Sequence, residues 1–180
     1  ERITAEYSIS NALFILARGN FILDQALLER VEKRMRELAA QALPIEKRSV
    51  STDDAIDLFH RSGLVHKAQL FRFRIDSHVN VYTLDGFTDY FYGYMVPDTS
   101  YIKCFGLELF ENSFVLRLPA RSAPGQLGEF RPSRKLFRAL SDSAKLSEAL
   151  NASNVAELNA AVSQGNTMQL ILSNEAMMEK

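Results

Sequence analysis

The order of periodicities along the 180 residues predicts an α+β fold, an antiparallel sheet with helices followed by a small C-terminal helical segment. Three observations carry this expectation. β-rich runs meet at two-residue turn signals, Ser10-Asn11, Asp85-Gly86 and Glu111-Asn112. Two capped amphipathic segments interrupt those runs. After Pro119 the strand pattern stops, and beyond an aperiodic stretch the remainder is helical.

Taken in order, ITAEYSI and ALFILA within residues 3–18 read as a hairpin ended by Gly19-Asn20. From Asp24, a suitable N-cap, Leu27, Val31, Met35, Leu38 and Ala42 line one helical face, and Pro44 stops the helix. Ser51-Thr-Asp-Asp opens a second helix with Ala55, Ile56 and Phe59 on its inner face and Gly63 just past its end. Strands follow at about 79–83 and 87–92, then in KCFGLELF and SFVLRLP. Residues 1–119 thus form the α+β domain. Residues 120–133, with Pro124, Gly125, Gly128 and Pro132, read as a linker. Residues 134–180 hold helices at about 134–150, 154–163 and 167–179, capped by Ser133, Ser153 or Asn154, and Thr167.

Net charge is −1, so the chain as a whole carries no electrostatic signature of a nucleic-acid or membrane partner. The 47 % apolar fraction is dispersed, and no run approaches the length of a membrane span. A lone Cys104 excludes an internal disulfide and fits a reducing, cytoplasmic setting. With Glu1 at its start and no signal-like segment, the chain is expected to be a piece of a longer protein.

Two stretches, LERVEKRMRELAAQALPIEKRSVSTDDAIDLF and VYTLDGFTDYFYGYMVPDTSYIKCFGL, resemble the second additional domain of threonyl-tRNA synthetases, shared with alanyl-tRNA synthetases. Nearly the whole chain, with EYSIS, YGYMVP, VLRLP, KLF and NVAELN, also resembles the N-terminal region of bacterial uridine-kinase-like or phosphoribulokinase-like proteins. The first resemblance implies the synthetase-type antiparallel sheet with helices. The second implies an accessory, ligand-binding or regulatory role beside an absent P-loop kinase domain, which would be its partner and would use ATP and Mg.

The synthetase domain pairs an HxxxH helix with a later Cys and His, a set suited to a tetrahedral metal or a polar editing pocket. Here Phe91 and Met95 take the Cys and His positions, and no HxxxH exists, so neither a metal site nor a catalytic residue is expected. His60, His66 and His78 read as surface or structural histidines, and Cys104 as a buried inert thiol in an apolar strand. Nor does Gly128-x-x-x-x-Ser133-Arg134-Lys135 make a phosphate cradle, because it lacks the second glycine and the Lys-Ser/Thr pair. The runner-up function is a tRNA-editing-like hydrolase or RNA-binding domain related to threonyl-tRNA synthetase.

Two surfaces then remain. In an alternating strand, Tyr90, Tyr92 and Tyr94 would point one way and Phe91 and Met95 the other. That run is either core backed by amphipathic tyrosines or a remodelled pocket in which Asp89, Tyr92, Tyr94, Met95 and Lys103 hold a nucleotide or an RNA end. Between 117 and 138, Arg117, Arg121, Arg131, Arg134, Lys135 and Arg138 face only Glu129, with Phe130 and Phe137 interleaved. Either Arg121, Arg131, Arg134 and Lys135 contact phosphate or RNA, or the stretch is a solvated linker pinned by its aromatics, its arginines paired with acids.

Overall fold

The computed structural model describes residues 2–178. It is α+β, built on two antiparallel-type sheets with helices both between the strands and after the last of them. Its compact units cut across the order of the chain. One combines the segment up to Glu46 with Met95–Arg138; the other combines Lys47–Tyr94 with the segment from Ala139 onward.

The first unit is a four-stranded sheet in the order β1-β2-β7-β6, from β1 (Arg2–Ile9), β2 (Ala12–Arg18), β6 (Gly106–Phe110) and β7 (Ser113–Arg117). The hairpin turns fall at Ser10-Asn11 and Glu111-Asn112, where Ser10 and Glu111 take left-handed backbone (φ 53° and 51°). Alternation gives the sheet two apolar faces. Ala12, Phe14 and Val115 face Tyr7, Phe110, Phe130 and Phe137, while Leu13, Ile15, Phe114 and Leu116 face Leu23 and Leu28. Leu28 belongs to α1 (Gln25–Ala40), whose Asp24 cap accepts from Leu27 N at 2.8 Å.

The buried stripe of α1 is rotated from the expected one. Leu28 is buried whereas Val31 is exposed, because Glu32 is drawn inward to accept the Leu107 amide at 2.8 Å while also pairing with Arg36. The end of α1 is closed by Thr99 of the 3₁₀ turn Thr99–Tyr101. Its buried hydroxyl donates to Leu38 O and accepts from Leu43 N, and the backbone adds Thr99 N to Leu43 O and Ile45 N to Pro97 O.

The second unit has a three-stranded sheet, β3 (Glu46–Ser51), β4 (His78–Leu84) and β5 (Phe87–Tyr90), in that order. Asp85 and Gly86 turn between β4 and β5 with φ of 47° and 81°, a pair of left-handed residues in which glycine at the second position is unstrained. Helices α2 (Thr52–Arg61) and α3 (Val65–Phe71) supply Ala55, Phe59, Ala68 and Phe71 to a core completed by Val79 and Val81. α4 (Arg134–Ala149) spans the boundary between units, α5 (Val155–Ser163) packs on α3, and α6 (Thr167–Met178) follows. Among the described residues no helix is long and apolar enough to cross a membrane.

The turns, the caps Asp24, Ser51 and Asn154 and the C-terminal helices lie where the sequence places them, while Thr167 falls inside α6 and three further details differ. β3 and α3 were not expected. The strand through Tyr90 ends there instead of running to 92, so residues 91–97 leave the sheet. Cys104 precedes β6 in irregular backbone and is only half-buried.

Candidate functional site: an aromatic platform and a basic stretch

The second unit presents a run of rings that starts in its core and ends in solvent. Phe59 and Phe71 stack at 5.3 Å, and Tyr90 meets them edge-on at 6.0 and 4.9 Å. Tyr92 stands edge-on to Tyr90 at 5.5 Å and is 72 % exposed. Burial raises the Tyr90 phenol above its ordinary range, and Tyr92 and Asp89 beside it push it further up. Its ring is therefore a neutral wall at physiological pH.

Arg74 bridges this run from Phe71 to Tyr92. Its guanidinium carbon lies 5.4 Å from the Phe71 ring and 5.1 Å from the Tyr92 ring, a distance at which a cation is attracted to both faces. Nη2 reaches Asp76 at 3.0 Å and Nη1 reaches the Tyr92 hydroxyl at 3.3 Å. Its Nε is buried with no hydrogen-bond partner. The segment is further tied by Tyr82, whose hydroxyl donates to Gly93 O at 3.0 Å. A Cβ on Gly93 would come within 2.8 Å of Phe91 Cε1, so glycine lets the chain fold closely past that ring.

This arrangement corrects the alternation expected over residues 90–95. The alternation is lost with the strand: Tyr90 is packed on the core, while Tyr94 is 97 % exposed. Phe91 and Met95, expected to turn inward, are 49 % and 42 % exposed. Asp89 forms its ion pair with Lys67 of α3 and accepts from Tyr90 N at 2.8 Å. Asp89, Tyr92 and Tyr94 belong to the second unit, and Met95 and Lys103 to the first, where Lys103 lines a shallow hollow of about 350 Å³ with Arg36, Ala39, Ile102 and Phe105. Lys67 and Arg74 were missed. They lie on or beside α3, a helix without a side-chain cap at its start, and only the fold brings them to Asp89 and Tyr92.

In the first unit the basic stretch is partly packed and paired and partly open. Phe130 and Phe137 are pinned against Phe110, at 5.7 and 5.0 Å. Arg117 pairs with Glu108 at 2.9 Å and also donates to Gly128 O, and Arg131 pairs with Glu129 at 2.6 Å. Arg121, Arg134, Lys135 and Arg138 are exposed and meet no acid among the described residues.

The remaining chemistry-bearing side chains are dispersed. His60 and His78 are exposed, and His66 Nδ1 lies 3.9 Å from Glu157. Among the described residues no three His, Cys, Asp or Glu side chains converge as a metal cage would require.

No protein-family model matches the chain. It is 39 % identical over 80 residues to a threonine–tRNA ligase of Azobacteroides pseudotrichonymphae, a match covering 44 % of this chain and 12 % of the ligase. A threonine–tRNA ligase of Paraburkholderia xenovorans is 40 % identical over 81 residues, covering 44 % and 13 %. One from Francisella tularensis subsp. novicida is 36 % identical over 83 residues, covering 46 % and 13 %. The chain therefore spans about an eighth of the length of these curated relatives, and it carries a threonyl-tRNA synthetase-like region within an α+β fold.

Proposed function

We propose that this chain is a non-catalytic RNA-binding relative of the synthetase domain, holding the unstacked end of an RNA strand against Tyr92 and Tyr94. The observation behind this reading is Tyr92, which is 72 % exposed yet fixed by Tyr90 and Arg74. A ring held still and open in this way gives a base a stacking face at little entropic cost. Within the first unit, and separately from this platform, Arg121, Arg134, Lys135 and Arg138 are exposed cations of the kind that bind phosphate. The likeness to threonine–tRNA ligases supports RNA as the ligand class. Hydrolytic editing has less support, since Phe91 and Met95 stand at the positions of the synthetase thiol and imidazole. Fluorescence anisotropy with labelled single-stranded RNA and with uncharged tRNA tests the proposal. Tyr92→Ala should weaken binding by about 1–3 kcal/mol. No binding by the unaltered chain overturns the proposal, and release of amino acid from a mischarged tRNA favours editing instead.

A second reading keeps the same surfaces in a different protein context, as the accessory region of a uridine-kinase-like protein. It is favoured by features that the kinase-like resemblance includes and the synthetase resemblance does not. The EYSIS hairpin and the VLRLP strand are joined by the β2–β7 ladder, and NVAELN forms α5 with Asn154 capping Glu157 N at 3.0 Å. In that context phosphoryl transfer, with ATP and Mg, belongs to a P-loop domain outside residues 1–180. Residues 1–180 alone should then transfer no phosphate from ATP. The parent gene should encode GxxxxGK[ST] after Lys180, and its absence removes this reading while leaving the first intact.

A further inference from the structure

The Tyr92 ring depends on Arg74 for its orientation. The β4–β5 ladder ends at the Val81–Tyr90 pair, so the backbone of Tyr92 lies beyond the strand, and Tyr90 meets its ring only edge-on at 5.5 Å. Tyr82 ties the next residue, through Gly93 O at 3.0 Å, and leaves the Tyr92 side chain to be held from elsewhere. Arg74 supplies a two-point hold. Its guanidinium carbon lies over that ring at 5.1 Å, and its Nη1 donates to the ring's hydroxyl at 3.3 Å.

This placement has a cost, which shows what the residue is for. An exposed arginine hydrates all five of its N–H donors. Arg74 instead has a side chain only 17 % exposed and buries Nε without an acceptor. In exchange the guanidinium lies over two ring faces, Phe71 at 5.4 Å and Tyr92 at 5.1 Å, while Asp76 holds Nη2 at 3.0 Å. Both Nη groups are engaged and Asp76 matches the charge, so this cation is poorly placed to take a phosphate. It is well placed to hold a ring. Lysine lacks both the plane that lies between two rings and the fork that reaches a carboxylate and a phenol together.

We propose that Arg74 is the positioning residue of the platform, holding the Tyr92 ring in its stacking orientation without contacting RNA phosphate; this rests on the RNA-binding reading above. The test combines NMR relaxation of the Tyr92 ring, in the 180-residue chain with isotope-labelled tyrosine, and anisotropy of a labelled single-stranded RNA over a salt series. Arg74→Met and Arg74→Lys should each loosen the ring and weaken RNA binding about tenfold, close to the loss from Tyr92→Ala. Combined with Tyr92→Ala, either should add little. The slope of log affinity against log salt should stay that of the unaltered chain, whereas a lost phosphate contact would reduce it by about 0.7. Binding rescued by lysine, or that reduced slope, makes Arg74 a phosphate contact and overturns the proposal. A Tyr92 ring indifferent to both substitutions also overturns it, whether or not RNA binds. A ring that loosens in a chain binding no RNA supports the positioning role and removes the RNA reading instead. Should Arg74→Met disturb the circular dichroism spectrum, Arg74→Lys carries the comparison.

Discussion

The two aromatic clusters use the same kinds of ring for opposite ends. In the first unit Phe14 is enclosed by Tyr7 at 5.2 Å, Phe137 at 5.2 Å and Phe110 at 6.3 Å, and Phe130 closes the far side of Phe110. In the second unit the chain of rings begins equally buried at Phe59 and Phe71 and ends at the exposed Tyr92. The difference lies in the backbone. Phe14 sits within a ladder, opposite Val115, whereas β5 loses its partner after Tyr90 and the following rings have no sheet to hold them down. Aromatic content alone therefore does not distinguish a core from a display surface; ladder continuity does.

The comparison breaks most sharply at Phe14. Phe14→Ala should cost about 3–5 kcal/mol in denaturant unfolding, because a cavity opens among rings already close-packed on one face of the sheet. A loss no larger than that of a surface substitution would mean the first cluster is as open as the second. Next comes Ser113→Ala. The buried hydroxyl donates to Ile15 O and accepts from Ala17 N at 3.1 Å, so its removal strands both groups and should cost about 1–3 kcal/mol in the same measurement.

Glu32→Gln follows, with an expected loss of about 1–2 kcal/mol at neutral pH. Burial alone would raise the Glu32 carboxyl, but the Leu107 amide and Arg36 outweigh it and hold the folded value below the ordinary one. Its contribution is thus complete above the unfolded carboxylate range and fades as pH falls through the folded value. Unfolding of both forms across that acidic window should show the gap closing downward in pH; a gap that widens would reverse the sign. Smallest in stability is Tyr92→Ala, at about 0.5 kcal/mol or less for an exposed ring, against its larger effect on RNA binding. A stability loss matching that of Phe14→Ala would turn the platform back into core.

Much of this fold is written in local signals. Asp24 and Ser51 cap the helices that follow them, and of Ser153 and Asn154 it is Asn154 that caps α5, with side-chain oxygens accepting from Leu27 N, Asp54 N and Glu157 N. The turn pairs Ser10-Asn11, Asp85-Gly86 and Glu111-Asn112 likewise need only their neighbours. What was not legible depends on distant partners. β3 reads EKRSVS, a charged run without alternation, and becomes a strand because β4 lies beside it. Glu32 turns inward for an amide 75 residues away. Tyr92 and Asp89 were visible as residue types, but Arg74 and Lys67, which give them their setting, reach them only through tertiary structure.

The Thr99 clasp has a consequence for how slowly one loop exchanges its protons. Leu43, Ile45 and Thr99 lie outside the helices and the named strands or at their margins, yet each amide donates at 2.8 to 3.0 Å to a partner more than fifty residues away. The isolated bridge between Pro44 and Asp98 binds the same two segments. Opening any one of these amides to deuterium requires parting both segments and uncapping the last turn of α1. In a native-state exchange experiment this short connection should therefore behave as part of a cooperative unit with α1, not as a fraying turn.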